Sequence, residues 1–201
     1  MEMAEKPANP VRDDARERIL SAAYGLFCHH GTRAVGVDRV ITEAGVAKMS
    51  MYRHFRSKNE LILAVLERRG LLWTQGWVQA EIASRTTDPA DQLLAIFDIF
   101  DEWFHQAGYE GCTFVNMLLE VTDHDNPIHQ ASRDHLRIIR EFLQGLAEAA
   151  GVADPETFAR QWHILLKGSI VSAAEGDVDA ARAARQVGAL LLEKELAGGR
   201  A

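Results

Sequence analysis

Between Lys48 and Lys58 the chain gathers two ammonium groups, the Arg53 guanidinium, the Ser50 and Tyr52 hydroxyls, the His54 imidazole and the Met49 thioether. The cations and hydroxyls are donors suited to phosphate oxygens and to the acceptor atoms of base edges. Ala47, Met51 and Phe55 recur at four-residue spacing, so a helix here should pack those three inward. Its outer side then carries Lys48, Met49, Tyr52 and Arg53, with Ser50 and His54 on the flanks. An isolated helix of this kind would read first as a solvated face, so its neighbours decide the matter.

Those neighbours supply a frame. Val37, Val40, Ile41 and Ala44 point one way along a preceding short helix, which Gly36 opens. Gly45 then stands at a sharp turn, where its access to positive φ is useful. On the far side, Ser57-Lys58-Asn59-Glu60 is a capping box: Ser57 caps the next helix and Glu60 reaches back to the Ser57 amide. Lys58 sits in that helix's first turn against the dipole, a placement that a nearby phosphate would explain. Helix, tight turn and second helix ending in an aromatic form the grammar of a helix-turn-helix reader of DNA. A first helix from about Asp13 to His29 supports it, with Asp13 and Asp14 at its start, Gly31 as its cap, and Ile19, Ala22, Ala23, Leu26 and Phe27 on one buried face. Residues 1–12, with Pro7 and Pro10, read as a flexible arm.

Charge is distributed to match. The 201 residues carry a net charge of −7, which is wrong for a nucleic-acid binder until the chain is divided. Residues 1–70 hold 12 Lys+Arg against 9 Asp+Glu, and the remainder holds 10 against 20, so positive charge sits with the candidate reader. No apolar run is long enough for a membrane-spanning helix, and the first dozen residues lack the apolar centre of a secretory signal. Two cysteines imply no disulfide framework and place the chain in a reducing cytoplasm.

From Lys58 a long helix runs toward Ser84 through Leu61, Leu66, Leu71, Leu72, Trp73 and Trp77. Asp88-Pro89, Asn126-Pro127 and Asp154-Pro155 each put a capping side chain before a proline at the first helical position. Helices follow at about 89–107, 113–122, 127–150, 155–175 and 178–197, and no segment alternates as a strand. The expectation is an all-α chain of about nine helices: a helix-turn-helix domain over 13–57 and a second helical domain over 58–201.

Rival chemistries find less support. Asp123, His124, Asp125, His129 and His135, with His105 and Cys112, offer metal-ligand types, yet Pro127 puts the acidic group in a loop where such residues cap helices. HExxH spacing, paired cysteines, a Walker loop, GxGxxG and a nucleophile elbow are all missing, so a helical metalloenzyme is the weakest alternative. A redox switch through Cys28 and Cys112 is disfavoured by their apolar sequence neighbours.

The run EAGV-x-K-x-S-x-YRHF-x-SK-x-EL, Glu43 to Leu61, resembles the tetracycline-repressor-like (TetR) family of bacterial transcriptional regulators. At motif level the likeness covers about residues 13–70; beyond it, the helix count, GCTFVNMLLE at 111–120 and the final helix pair are similar. It implies that Lys48, Ser50, Tyr52 and His54 contact DNA and that Lys58 binds a phosphate. Ala47 stands where the family usually has a Ser or Thr cap, and Met49 replaces a common glycine, so Met49 and Arg53 are the sources of individual preference. A cytoplasmic homodimer on a palindromic operator is implied, with no cofactor, repression being the family's common habit. A small, partly apolar inducer would occupy a cavity near Trp73, Trp77, Phe100, Trp103, Phe104, Phe114, Met117 and Trp162, with Asn116, Glu120 and His163 as polar groups. The last two helices would form a four-helix bundle between subunits, through Trp162, Leu166, Ser169, Ile170 and Ala173 on one and Ala184, Val187 and Leu191 on the other. A metal- or redox-responsive regulator, or an activator on the same fold, is the alternative.

Overall fold

Ile19, Leu20, Ala23, Leu26 and Phe27 repeat at helical spacing, and in the computed structural model they are the buried stripe of α1, Ala15–Ala34. The structure describes residues 15–198; the expected arm and the Asp13 and Asp14 positions lie outside that range. Regular helix in α1 stops at Gly31, whose φ of 73° and ψ of 159° are open to glycine at little cost. Beyond Gly31 a single turn, Thr32–Ala34, leads into α2, Val37–Ala44. Lys48–His54 forms α3.

The next helix, α4, covers residues 58–85 in three parts. Lys58–Arg69 and Gln79–Arg85 are α-helical, and Gly70–Val78 between them is π-helical. Gly76 fits the wider turn because a Cβ there would lie 3.0 Å from the Leu71 carbonyl oxygen. Five further helices follow: α5, Pro89–Phe104; α6, Thr113–Glu120; α7, Pro127–Ala149; α8, Pro155–Ala174; and α9, Ala180–Gly198. The caps before the three prolines form as the sequence indicates. Asp88 accepts from the Ala90 and Asp91 amides, Asn126 from Ile128, and Asp154 from Thr157. The described residues are thus helical throughout, with nine helices and no strand. No described helix is long and apolar enough to cross a membrane.

Two compact units emerge. One takes the described residues through Gly70 together with Cys112–Asp134, so α6 belongs with the N-terminal helices despite its distance along the chain. Its core joins Ile19, Leu20, Phe27, Val40, Met51, Phe55, Leu61 and Leu66. The other takes Leu71–Gly111 and the described residues from His135 on, around Leu93, Phe97, Ile99, Phe158, Trp162 and Leu166.

Candidate nucleic-acid interface

Three contacts shape the reader. Gly45 ends α2 in the left-handed region at φ 61°, its amide donating to the Thr42 carbonyl and the Val46 amide to that of Ile41. Arg18 Nη1 on α1 donates to the Ala44 and Gly45 carbonyls, both at 3.3 Å, fastening the turn to the first helix. Arg16 lies 5.4 Å from the centre of the buried Phe55 ring.

Along α3 the inward stripe is Met51 and Phe55, both fully buried. Ala47 departs from expectation: it is exposed, because it is the N-cap with extended backbone (φ −72°, ψ 147°) and stands outside the helical repeat. Its methyl offers no acceptor to the free amides of the first turn. Lys48, Met49, Tyr52 and Arg53 face outward, Met49 with 84% of its surface exposed. Ser50 and Lys58 are half-buried at the edges. His54 is half-buried too, with Nε2 lacking a hydrogen-bond partner among the described residues.

Lys48 Nζ pairs with Asp38 on α2 at 3.2 Å, and that hydrogen bond and charge raise the lysine's pKa. Both groups are open to water, so an anion with better geometry can displace the aspartate. The cap of α4 forms with one change: Ser57 Oγ accepts from the Glu60 amide at 3.1 Å, while Glu60 Oε2 accepts from the Arg56 amide at 2.8 Å, one residue before the expected donor. Glu60 thereby fixes the residue that leaves α3 as well as the start of α4. Arg39, which sequence reasoning passed over, lies on α2 and donates to His30 Nε2 at 2.7 Å.

The residues expected around an inducer divide between the two units. In the second, Trp73 lies 4.6 Å from Trp77 and 5.3 Å from Trp103, ring centre to ring centre, and Phe100 packs on both Trp103 and Phe104. Tyr109, absent from the expected set, meets Trp103 and Phe104 edge-on at 5.0 Å and donates its hydroxyl proton to the Ile170 carbonyl. Its one sequence signal is a lone tyrosine beside a glycine in a loop. An open apolar groove of about 380 Å³, lined by Leu94, Ala189, Leu192, Glu193, Leu196 and Ala197, contains none of the expected residues. His163 is buried beside Lys167 and Arg140; burial first, and then those two positive charges, push its pKa down to about 4.

In the first unit Phe114 and Met117 are buried and Asn116 is exposed. Glu120 is not a spare polar group, since its carboxylate accepts from the Thr32 and Arg33 amides at 2.9 and 2.6 Å. Burial works to raise its pKa, but those amides, the Thr32 hydroxyl and Arg33 outweigh it and hold the carboxyl below its usual range.

Trp162 also changes place. It is fully enclosed within its unit, stacked on Phe158 at 5.0 Å and tilted against Phe97 at 5.2 Å, with no surface left to offer a second subunit. Leu166, Ser169, Ile170 and Ala173 are buried with it; Ala184 and Leu191 are half-buried, and Val187 is exposed. The outward apolar residues of the final pair are Ile164 and Val171 on α8 and Val187 and Leu190 on α9. The spacing of Ile164, Gly168 and Val171 was the available signal, masked by the larger stripe that became core.

Among the described residues, the Asp123–Asp125 group, read from the sequence as capping residues, forms no cluster of metal-type ligands, and such ligands come together instead at Asp101, His105 and Asp179. Arg182 already pairs with both aspartates, at 3.0 and 2.9 Å. In the loop Asp123 accepts from the Asp125 amide, and His129 is bonded through Nδ1 to the Val121 carbonyl at 2.7 Å. The cysteines lie in more polar surroundings than their sequence neighbours indicated: Cys28 Sγ shares a 3.6 Å hydrogen bond with Thr113 Oγ1, and both thiols are near Arg69.

A helix-turn-helix with a cation-bearing outer face, followed by a helical body, defines the fold class of helical transcription regulators. The chain belongs to the TetR family: residues 19–65 match the bacterial regulatory protein, tetR family model, and residues 89–187 match the tetracyclin repressor-like C-terminal domain. That membership sets it among regulators and not among enzymes. Over 89 residues it is 40% identical to the transcriptional activator FasR of Mycolicibacterium smegmatis, covering 44% of this chain and 40% of that protein. It is 32% identical to the repressor KstR2 of the same organism, over 45% of this chain and 42% of the relative. The repressor NemR of Escherichia coli is 31% identical over 55% of each chain. These matches span about half or less of the relatives' lengths. Among solved structures, the TetR-family regulator SCO4454 of Streptomyces coelicolor superposes with a TM-score of 0.82 at 25% identity, covering 92% of this chain and 97% of that one.

Proposed function

We propose that the chain is a homodimeric, sequence-specific DNA-binding regulator of the bacterial cytoplasm, acting as a repressor that a small, partly apolar inducer releases from a palindromic operator. The observation that carries this reading is the outer face of α3, where Lys48, Met49, Tyr52 and Arg53 are exposed on a helix whose other side is anchored by Met51 and Phe55. In this reading Lys48, Ser50, Tyr52, Arg53 and His54 meet phosphates and base edges, and Lys58 holds a phosphate at the start of α4. Two of the three named relatives are repressors, which supports repression over activation.

Dimerisation is supported by the exposed apolar side of α8 and α9, Ile164, Val171, Val187 and Leu190, a face that a twofold partner would cover. The inducer reading rests on the cluster of Trp73, Trp77, Phe100, Trp103 and Phe104, with His163 as a buried polar group. Release follows from linkage: a ligand favouring the conformer with poorly placed readers weakens operator binding by the same factor that DNA weakens ligand binding. Helix α4, which begins at the reader and runs on to Trp73 and Trp77, is the proposed lever.

Selection of bound fragments from random duplex DNA tests the proposal. Enrichment of a pseudo-palindrome with half-site centres about 34 Å or more apart is expected. A pool that stays random, or one asymmetric half-site held by a single protomer, rejects it.

A further inference from the structure

Beyond Gly31, where regular α1 ends, the backbone re-enters helical geometry for one turn before α2 begins. A restart of this kind leaves its leading amides without partners from the preceding turn. The partner of the Thr32 and Arg33 amides is Glu120, from the last position of α6 and more than 80 residues away along the chain. The carboxylate lies against bare backbone as well, since a Cβ on Gly31 would stand 3.4 Å from Glu120 Oε1. At the other end of α6, Thr113 Oγ1 bonds Cys28 on α1. Helix α6 is therefore tied at both ends to the final turns of α1, and its stronger tie is to the joint from which α2 and the recognition helix α3 depart.

We infer that Glu120 is a positioning residue for DNA binding: it latches the α1–α2 joint to α6 and so holds the reader ready to engage the operator. The inference rests on the DNA-binding reading above and names a control point within it. Three features support it. The bonds are charge-assisted, so they are stronger than neutral ones. Two of the donors are backbone amides, which no side-chain change at Thr32 or Arg33 removes, and the Thr32 hydroxyl and the Arg33 charge add to them. The lowered pKa agrees with a carboxylate held in its charged form at this joint. Sequence reading placed Glu120 among inducer-contacting groups, whereas the latch gives it a part in passing the state of α6 to the reader.

The test uses the full chain and the duplex that the wild-type chain itself enriches from random DNA. Glu120→Gln keeps the side chain's size but has only one acceptor, leaving an amide group facing an N–H. At a temperature where circular dichroism shows the variant folded, its operator affinity should fall by at least about tenfold. The amide proton resonances of Thr32 and Arg33 should titrate in the wild type, with a midpoint below the ordinary glutamate range, and lose that titration in Glu120→Gln. A third readout needs no variant: hydrogen exchange at Thr32 and Arg33 in the wild type should slow when the duplex is added. Equal or tighter DNA binding by folded Glu120→Gln, or exchange unaffected by DNA, overturns the latch and leaves the DNA-binding reading standing. If the wild type enriches no sequence, the functional reading fails, and the latch with it.

Discussion

At Lys48 and Asp38 an exposed ion pair waits on the face where a phosphate is expected, and such a pair contributes little to stability at an open surface. Its value lies in exchange, since the lysine leaves one acceptor for another and pays little desolvation. His163 shows the opposite regime. Buried near Lys167 and Arg140, it stays neutral in the folded chain down to about pH 4, while an unfolded chain takes up that proton near pH 6.5. The unfolded state therefore binds more protons between those values, so stability falls as pH drops from about 6.5 toward 4. The loss through this group is on the order of 3 kcal/mol at full extent. Urea unfolding of the wild type and His163→Gln across pH 4–7 should show a shallower pH dependence in the variant; parallel curves would remove His163 from the account. Residue identity was legible in the sequence here, but residue role was not. Glu120, Trp162 and His163 all appeared as polar or aromatic groups near a pocket. Some of their partners, Phe158 and Lys167, lie one turn away on α8, but the Thr32 and Arg33 amides, the Phe97 ring and the Arg140 cation come from other helices, which no local pattern brings together.

At the scale of elements, local chemistry was well marked. Asp88, Asn126 and Asp154 before prolines start α5, α7 and α8 where the sequence places them, because a cap and a proline act within one turn. Gly45 and Gly31 end their helices for the same local reason. The π-helical Gly70–Val78 was not legible, since the choice of i→i+5 bonding depends on packing around Trp73 and Trp77 and on the bare Gly76 position. Periodicity marked the larger apolar stripe of α8 but not what covers it: Trp162, Leu166 and Ile170 pack within their own unit, while Ile164 and Val171 stand exposed among Arg160, Gln161 and Glu175. One element carries an evident weakness: α3 begins at Ala47, exposed and without a capping acceptor. Ala47→Ser supplies one without disturbing the core and should stabilise the chain by about 0.5–1 kcal/mol, seen as a higher urea midpoint at unchanged slope. An unchanged or lowered midpoint would mean that the extended N-cap geometry at Ala47 is not what limits α3.

For the whole molecule, the proposed account joins a basic N-terminal segment, an acidic remainder and two copies of one reader. The charge asymmetry places attraction for DNA where α3 lies and keeps the rest of the chain from competing for it. Symmetry then multiplies the weight of each contact, since every substitution on α3 is made twice per operator. Lys48 and Tyr52 are exposed, and neither supports the core, so their removal should spare folding. Losing roughly 1 kcal/mol from each side chain in each half-site would total about 4 kcal/mol over the dimer, well beyond a hundredfold in affinity. The most direct measurement is therefore the affinity of the wild-type chain and of Lys48→Ala/Tyr52→Ala for the duplex that the wild type selects. The account predicts a loss of at least about a hundredfold with the urea midpoint unchanged, whereas a folded double variant that binds this duplex as tightly as the wild type would contradict it.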